Sequence, residues 1–191
     1  EFAGNYTFTL LDNLDHPTTG TEENLVLTFN ATVTDGDGDA VTQALSVNVD
    51  DDIPLLETPD SLAVDEDDLL APPASFPGNN DEAPGDDLPV GSPTSVSGSL
   101  GVSFGADGVG GVTNIVYIGD PLFSQAAAVT FAFDDTTDTL TASAHGNTIF
   151  TVVVDEFAGN YTFTLLDNLD HPTTGTEDNL SLIFDATLTD G

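Results

Sequence analysis

The chain is 191 residues long, with 34 acids, three His and neither Lys nor Arg, for a formal charge of −34. It cannot neutralise phosphates, which argues against nucleic acid as a partner, and an anionic membrane surface repels it. The absence of Cys excludes disulfides and thiolate metal sites. No apolar run approaches the ~18 residues of a membrane span, so no direct membrane insertion is expected. Such a charge usually reads as disorder, yet 39% of the residues are hydrophobic and they alternate, which argues for a core. The two facts reconcile if cations supply the missing positive charge. Calcium, a hard oxygen-seeking ion, is the obvious one.

In chain order, the first element is also the one that recurs. Glu1 to Gly36 returns as Glu156 to Gly191, an offset of 155 residues, and the 36 paired positions differ only at 23, 26, 28, 30 and 33. A self-match of this length marks an array of whole domains. Within it, Tyr6 to Leu10 alternates as a half-buried strand, Asp12 to Gly20 is a turn region, and Leu25 to Val33 is a second strand. The two copies test that second assignment. Leu25, Leu27, Phe29 and Ala31 recur unchanged as Leu180, Leu182, Phe184 and Ala186, while Val26, Thr28 and Asn30 become Ser181, Ile183 and Asp185. A sheet with one face on a core and one in water shows this pattern.

Asp35 to Asp39 is an acidic loop, and Val41 to Val49 is a third strand with Val41, Leu45, Val47 and Val49 inward. Asp50-Asp51-Asp52-Ile53-Pro54 then reads as a stiff connector, because Pro54 holds Ile53 extended. Residues 1–50 are thus expected to be the closing strands of one repeat and 51–54 a linker. Residues 55–191 are expected to be a following repeat without its last strand. The stretch 55–95 reads as a long surface excursion, with a short strand at Ser61 to Val64. Strand patterns resume at Ser95 to Phe104, Thr113 to Ile118, Val129 to Phe133, Thr139 to Ala144 and Thr148 to Val154, with a hairpin turn at Gly146-Asn147. Tyr161 to Leu166 and Leu180 to Leu188 complete the set, and only Ser124 to Ala128 hints at a helical turn. Many short strands without helical period predict an all-β fold, an antiparallel β-sandwich.

Acids dominate the candidate chemistry. Asp35, Asp37 and Asp39 stand at i, i+2 and i+4, and the intervening glycines let the backbone curl until their oxygens converge on one ion at about 2.3–2.6 Å. The loop departs from an EF-hand, with Ala40 at its sixth position and Ser46 at its twelfth. Asp50, Asp51 and Asp52, with Asp65, Glu66, Asp67 and Asp68, are candidates for a second calcium site at the linker. Asp107, and Asp134 with Asp135 and Asp138, lie at strand ends, where ligation competes with ordinary turn chemistry. His16 and His171, one position of the repeat, and His145 read as structural turn residues that do not meet. Gly101-Val-Ser103-Phe-Gly105 matches the nucleophile-elbow pattern, and acids and His145 follow in hydrolase order. That motif needs a strand, a sharp turn and a helix, whereas Ser103 alternates within a strand. The chain is therefore not expected to be an enzyme.

With these residues in view, the chain resembles the tandem extender repeats of giant bacterial RTX adhesins. The resemblance rests on Tyr6 to Pro17 and its copy 161–172, on Thr34 to Asp39, on Val49 to Pro54 and on Phe104 to Gly108. It implies Ig-like β-sandwiches exported by type I secretion, with calcium within and between domains, that hold an adhesive tip away from the cell surface. The implied location is extracellular, and the implied partners are neighbouring repeats of the same polypeptide. The glycine-rich nonapeptide of the RTX roll is absent, which implies a spacer. The alternative is a calcium-dependent glycan- or surface-binding module, for which the lack of Trp and the three Tyr leave a thin aromatic platform. If the second repeat lacks the strand that Val41 to Val49 represents, that segment is a candidate to complement it, within the chain or from a neighbour.

Overall fold

The computed structural model describes residues 4–17, 23–70, 74, 91–106, 108–173 and 178–190. Among them the chain is all-β and antiparallel, with no helix. The strands are β1 (Asn24–Thr34), β2 (Ala40–Asp50), β3 (Leu55–Leu56), β4 (Ser95–Ser99), β5 (Val102–Ser103), β6 (Val109–Tyr117), β7 (Phe123–Ser124), β8 (Ala127–Ala128), β9 (Thr130–Asp134), β10 (Thr139–Ala144), β11 (Asn147–Asp155), β12 (Asn160–Leu165) and β13 (Phe184–Asp190).

The core lies under a five-stranded sheet ordered β4-β12-β11-β10-β9. Period-2 alternation sends Leu140, Ala142 and Ala144 of β10, Val152 and Val154 of β11, and Phe163 and Leu165 of β12 into it. The β6–β13 ladder covers them, with Ile115 1% exposed. Phe184 of β13 meets Phe150 edge-on at 5.9 Å, and Tyr117 of β6 stacks on Phe131 at 4.9 Å. This two-layer arrangement is a β-sandwich. Each fully buried Phe or Ile contributes about 1.5–3 kcal/mol, and offset or edge-on ring pairs add about 0.5–1.5 kcal/mol.

The first copy of the repeat is built differently. β1 and β2 form a hairpin in uniform register, from Asn24↔Asp50 to Thr34↔Ala40. The predicted alternation is present, with Leu25, Leu27, Ala31, Leu45, Val47 and Val49 half-buried, but Phe29 is 46% and Val41 71% exposed. Tyr6 to Leu10, expected as a strand, joins no ladder, whereas its copy is β12, hydrogen-bonded between β11 and β4. A strand needs neighbours for its backbone groups, and only the second copy has them.

Other expectations are corrected locally. Ser124 to Ala128 is a tight β7–β8 hairpin, not a helical turn. Gln125 and Ala126 take positive φ of 50° and 64°, as a two-residue primed turn requires. The β10–β11 turn is His145-Gly146, one residue earlier than expected, with Ala144↔Asn147 closing the ladder. Ser95 to Phe104 breaks into β4 and β5. The strand expected from Leu180 starts late: β13 begins at Phe184, although Leu180 and Leu182 pack on the core. Ser61 to Val64 forms no ladder, but the adjoining Asp60 binds β4 through its N–H to Ser99 O at 3.0 Å and its carboxylate to Ser99 N–H at 2.8 Å. Within 55–95, Leu69 and Ala74 are 3% and 6% exposed, so part of the expected surface excursion belongs to the core. Residues 71–73 and 75–90 of that stretch lie outside the described residues.

Candidate metal centre

Asp35, Asp37 and Asp39 meet at the β1–β2 turn. One carboxylate oxygen from each lies within 4.8 Å of the others, all three side chains are exposed, and among the described residues no other three His or acids converge in this way. The ladder positions the loop, because Asp35 N–H donates to Asp39 O at 2.9 Å. Asp35 Oδ1 accepts from Gly38 N–H at 3.1 Å and from Asp39 N–H at 2.8 Å. Gly38 supplies the φ of 104° that lets the chain reverse. Hydrogen bonding to the Asp37 side chain and to the loop's N–H groups, that of Asp39 foremost, holds the Asp35 carboxyl below the usual carboxylate range. Oxygens coordinated at about 2.3–2.6 Å to one hard cation stand at most about 5.2 Å apart, so this donor set fits such an ion, with water completing its shell.

The acids expected at a linker go to separate partners. Asp50 ends β2 opposite Asn24. Asp51 continues the hairpin through its N–H to Glu23 O at 3.1 Å, and its carboxylate lies 4.0 Å from His16 Nδ1, with side chains only 9% and 6% exposed. Asp52 reaches the other way: its Oδ2 accepts from Ala106 N–H at 2.9 Å. That carboxylate fills the space where a Cβ at Gly105, φ 69°, would sit.

Asp65 to Asp68 form a half-buried turn. Asp65 Oδ1 accepts from Asp67 N–H at 2.9 Å, and Asp68 Oδ1 from Gly91 N–H at 2.7 Å. Glu66 Oε1 accepts from Leu169 N–H at 2.7 Å and lies 3.8 Å from His171 Nε2. The other ring nitrogen, Nδ1, faces Asp178 at 3.6 Å. Burial pushes the Glu66 carboxyl above its usual range, against the opposing pull of Leu169 N–H and His171. Both repeat histidines thus face acids, His16 at Asp51 and His171 at the 65–68 turn. Their shared Leu-Asp-His-Pro setting carries no sign of Asp51 or Glu66, which are distant in sequence.

Asp134 Oδ1 accepts from Thr136 N–H at 2.9 Å, which is turn chemistry, and Asp135 is exposed. Asp107 lies outside the described residues. Asp138 hydrogen-bonds Glu156, whose carboxyl is raised chiefly by that bond. Ser103 sits exposed in β5, paired with Leu55. Asp170 was not singled out by its sequence context, yet its two oxygens accept from Gln125 and Ala126 N–H at 2.8 and 2.7 Å and so clamp the strained β7–β8 turn. Comparison of the chain with protein-family models, with curated proteins and with solved structures returned no match.

Proposed function

We propose that the chain is a cation-braced structural spacer, an extender module of a bacterial cell-surface adhesin of the RTX class, with calcium at Asp35, Asp37 and Asp39. The observation that carries this reading is where the repeated sequence goes. In its second copy it forms β12 and β13, two strands that supply Phe163, Leu165 and Phe184 to the sandwich. Duplication of such a segment multiplies scaffold, and scaffold repeated in series makes length. The Asp triad sits at a strand-to-strand turn, where a bound cation cancels charge in a chain that has no Lys or Arg. In calcium-poor cytosol an acidic chain of this kind stays expanded and exportable, and calcium at ~10⁻⁴–10⁻³ M outside the cell then favours the folded form.

Thermal unfolding with millimolar calcium and with chelator, together with small-angle scattering of a chain that carries two full periods, tests the reading. A higher melting temperature and a longer, stiffer particle with calcium are expected. Identical melting and identical scattering in both conditions would sink it.

A further inference from the structure

We propose that the chain cuts its own backbone between Asp120 and Pro121, with the Asp120 carboxyl as nucleophile and the Tyr117 hydroxyl holding the oxyanion that develops. Asp120–Pro121 is the only Asp-Pro bond in the sequence. Such a bond is labile in acid for two reasons. The Asp side chain reaches its own carbonyl carbon through a five-membered ring, an attack that is intramolecular and therefore fast. The departing Pro nitrogen belongs to a tertiary amide, which takes up a proton and leaves more readily than an ordinary peptide nitrogen. The fold adds a donor on that carbonyl. Tyr117 Oη–H donates to Asp120 O at 2.7 Å, within the roughly 2.7–3.1 Å expected of an oxyanion donor. The ring is fixed, stacked on Phe131 at 4.9 Å and edge-on to Phe184 at 5.6 Å. Gly119 makes room for it, since a Cβ there would run into the phenol oxygen. Burial first, and then the charge of Asp120, raise the phenol above its ordinary range, so it keeps the proton that it donates.

The segment that carries the bond is pinned on both sides. Ile118 N–H donates to Ile183 O at 2.9 Å, and Leu122, 4% exposed, accepts at its carbonyl from Val129 N–H at 2.9 Å. Asp120 and Pro121 between them are exposed, so water reaches the reacting carbon. In the reaction a carboxyl oxygen of Asp120 bonds to its own carbonyl carbon, and the π pair moves to the oxygen that Tyr117 holds. Collapse of this adduct breaks the bond to the Pro121 nitrogen, which takes the proton that the carboxyl gives up. The cyclic anhydride left on Asp120 is opened by water, and the sum is hydrolysis of one peptide bond. The pieces 1–120 and 121–191 stay joined, because the β4–β12 and β6–β13 ladders both cross the cut. Tyr161 Oη–H donates to Asp60 O at 2.5 Å in the same manner, but Ser61 follows, so this second site lacks the leaving group and serves as a control within the chain.

The 191-residue chain is incubated at about pH 5, where more carboxyl is protonated than at neutral pH, and then weighed by mass spectrometry in denaturant. Fragments 1–120 and 121–191 are expected, with no cut at Asp60–Ser61. Hydroxylamine in the buffer should be captured as a hydroxamate on residue 120, as an anhydride requires. The same chain in urea keeps the Asp-Pro bond but loses the Tyr117 donor, and should be cut at least about tenfold more slowly. Tyr117→Phe keeps the ring and its stacking, and should match that loss while its melting temperature stays close to the parent's. Asp120→Glu, which must close a six-membered ring, should not be cut. A folded parent that stays whole overturns the proposal. So does a folded chain cut no faster than the unfolded one, which is the ordinary lability of an Asp-Pro bond, and so does a Tyr117→Phe chain cut like the parent.

Discussion

Phe8 lies 6.0 Å from Phe29, with ring planes tilted by 41°, and their repeat counterparts Phe163 and Phe184 lie 6.4 Å apart at 47°. The aromatic contact is thus made in both copies, but its surroundings differ. Phe163 is 7% exposed and also meets Phe150 at 5.1 Å, whereas Phe8 is 36% and Phe29 46% exposed. One short sequence brings the same rings together twice, and only the second pair has a sandwich around it.

Truncating the two copies should therefore have unequal effects. Phe163→Ala is expected to destabilise the fold by about 3–5 kcal/mol, the usual cost of emptying a core Phe site. Phe8→Ala should cost under about 1 kcal/mol, because its ring already meets water. Urea unfolding of both variants checks the contrast, and equal costs would contradict it.

Asp170 holds the β7–β8 turn through two N–H groups of residues at positive φ. Asp170→Ala leaves both exposed donors to water and is expected to cost about 0.5–1.5 kcal/mol, the net worth of such hydrogen bonds. Asp15, the same repeat position, is exposed, and Asp15→Ala should change stability by less than about 0.5 kcal/mol. Denaturant midpoints of the pair measure the difference.

Glu66 carries a pH dependence of defined sign. Burial raises its carboxyl above the ordinary value of 4.5, so the folded chain holds this proton more tightly than the unfolded one. Its contribution is complete below that ordinary value and is lost as pH rises through the folded one. Glu66→Gln cannot ionise and keeps an acceptor for Leu169 N–H. Its stability relative to the parent should be nearly constant at acid pH and should improve as pH rises towards 7. Urea midpoints across that range provide the check, and a flat difference would refute it.

Calcium titration calorimetry should give a dissociation constant of ~10⁻⁴–10⁻³ M for the parent, and Asp37→Ala should weaken it at least about tenfold. Saturation at ten to a hundred times that constant stabilises the bound form by about 1.4–2.7 kcal/mol. Since the Asp35 carboxyl is held below its ordinary value of 3.8, it stays ionised at neutral and mildly acid pH. Cation binding should weaken as acid protonates the carboxylates of the cluster. An Asp37→Ala chain that binds like the parent would move the site elsewhere.

The residues by themselves determined the all-β class, the repeat, and the faces of Leu25 to Val33 and Leu180 to Leu188, because period-2 alternation and the freedom of outward positions are local properties. They also determined the Asp35-Asp37-Asp39 cluster, whose three carboxylates lie on five consecutive residues of a turn. Only the tertiary structure decided that Tyr161 to Leu165 is a strand while Tyr6 to Leu10 is not, since hydrogen-bonding neighbours are supplied by distant segments. It alone brought Asp170 to Gln125, His171 to Glu66 and Asp52 to Ala106. Those pairings span tens of residues, and nothing in the local spacing of any one partner encodes the other.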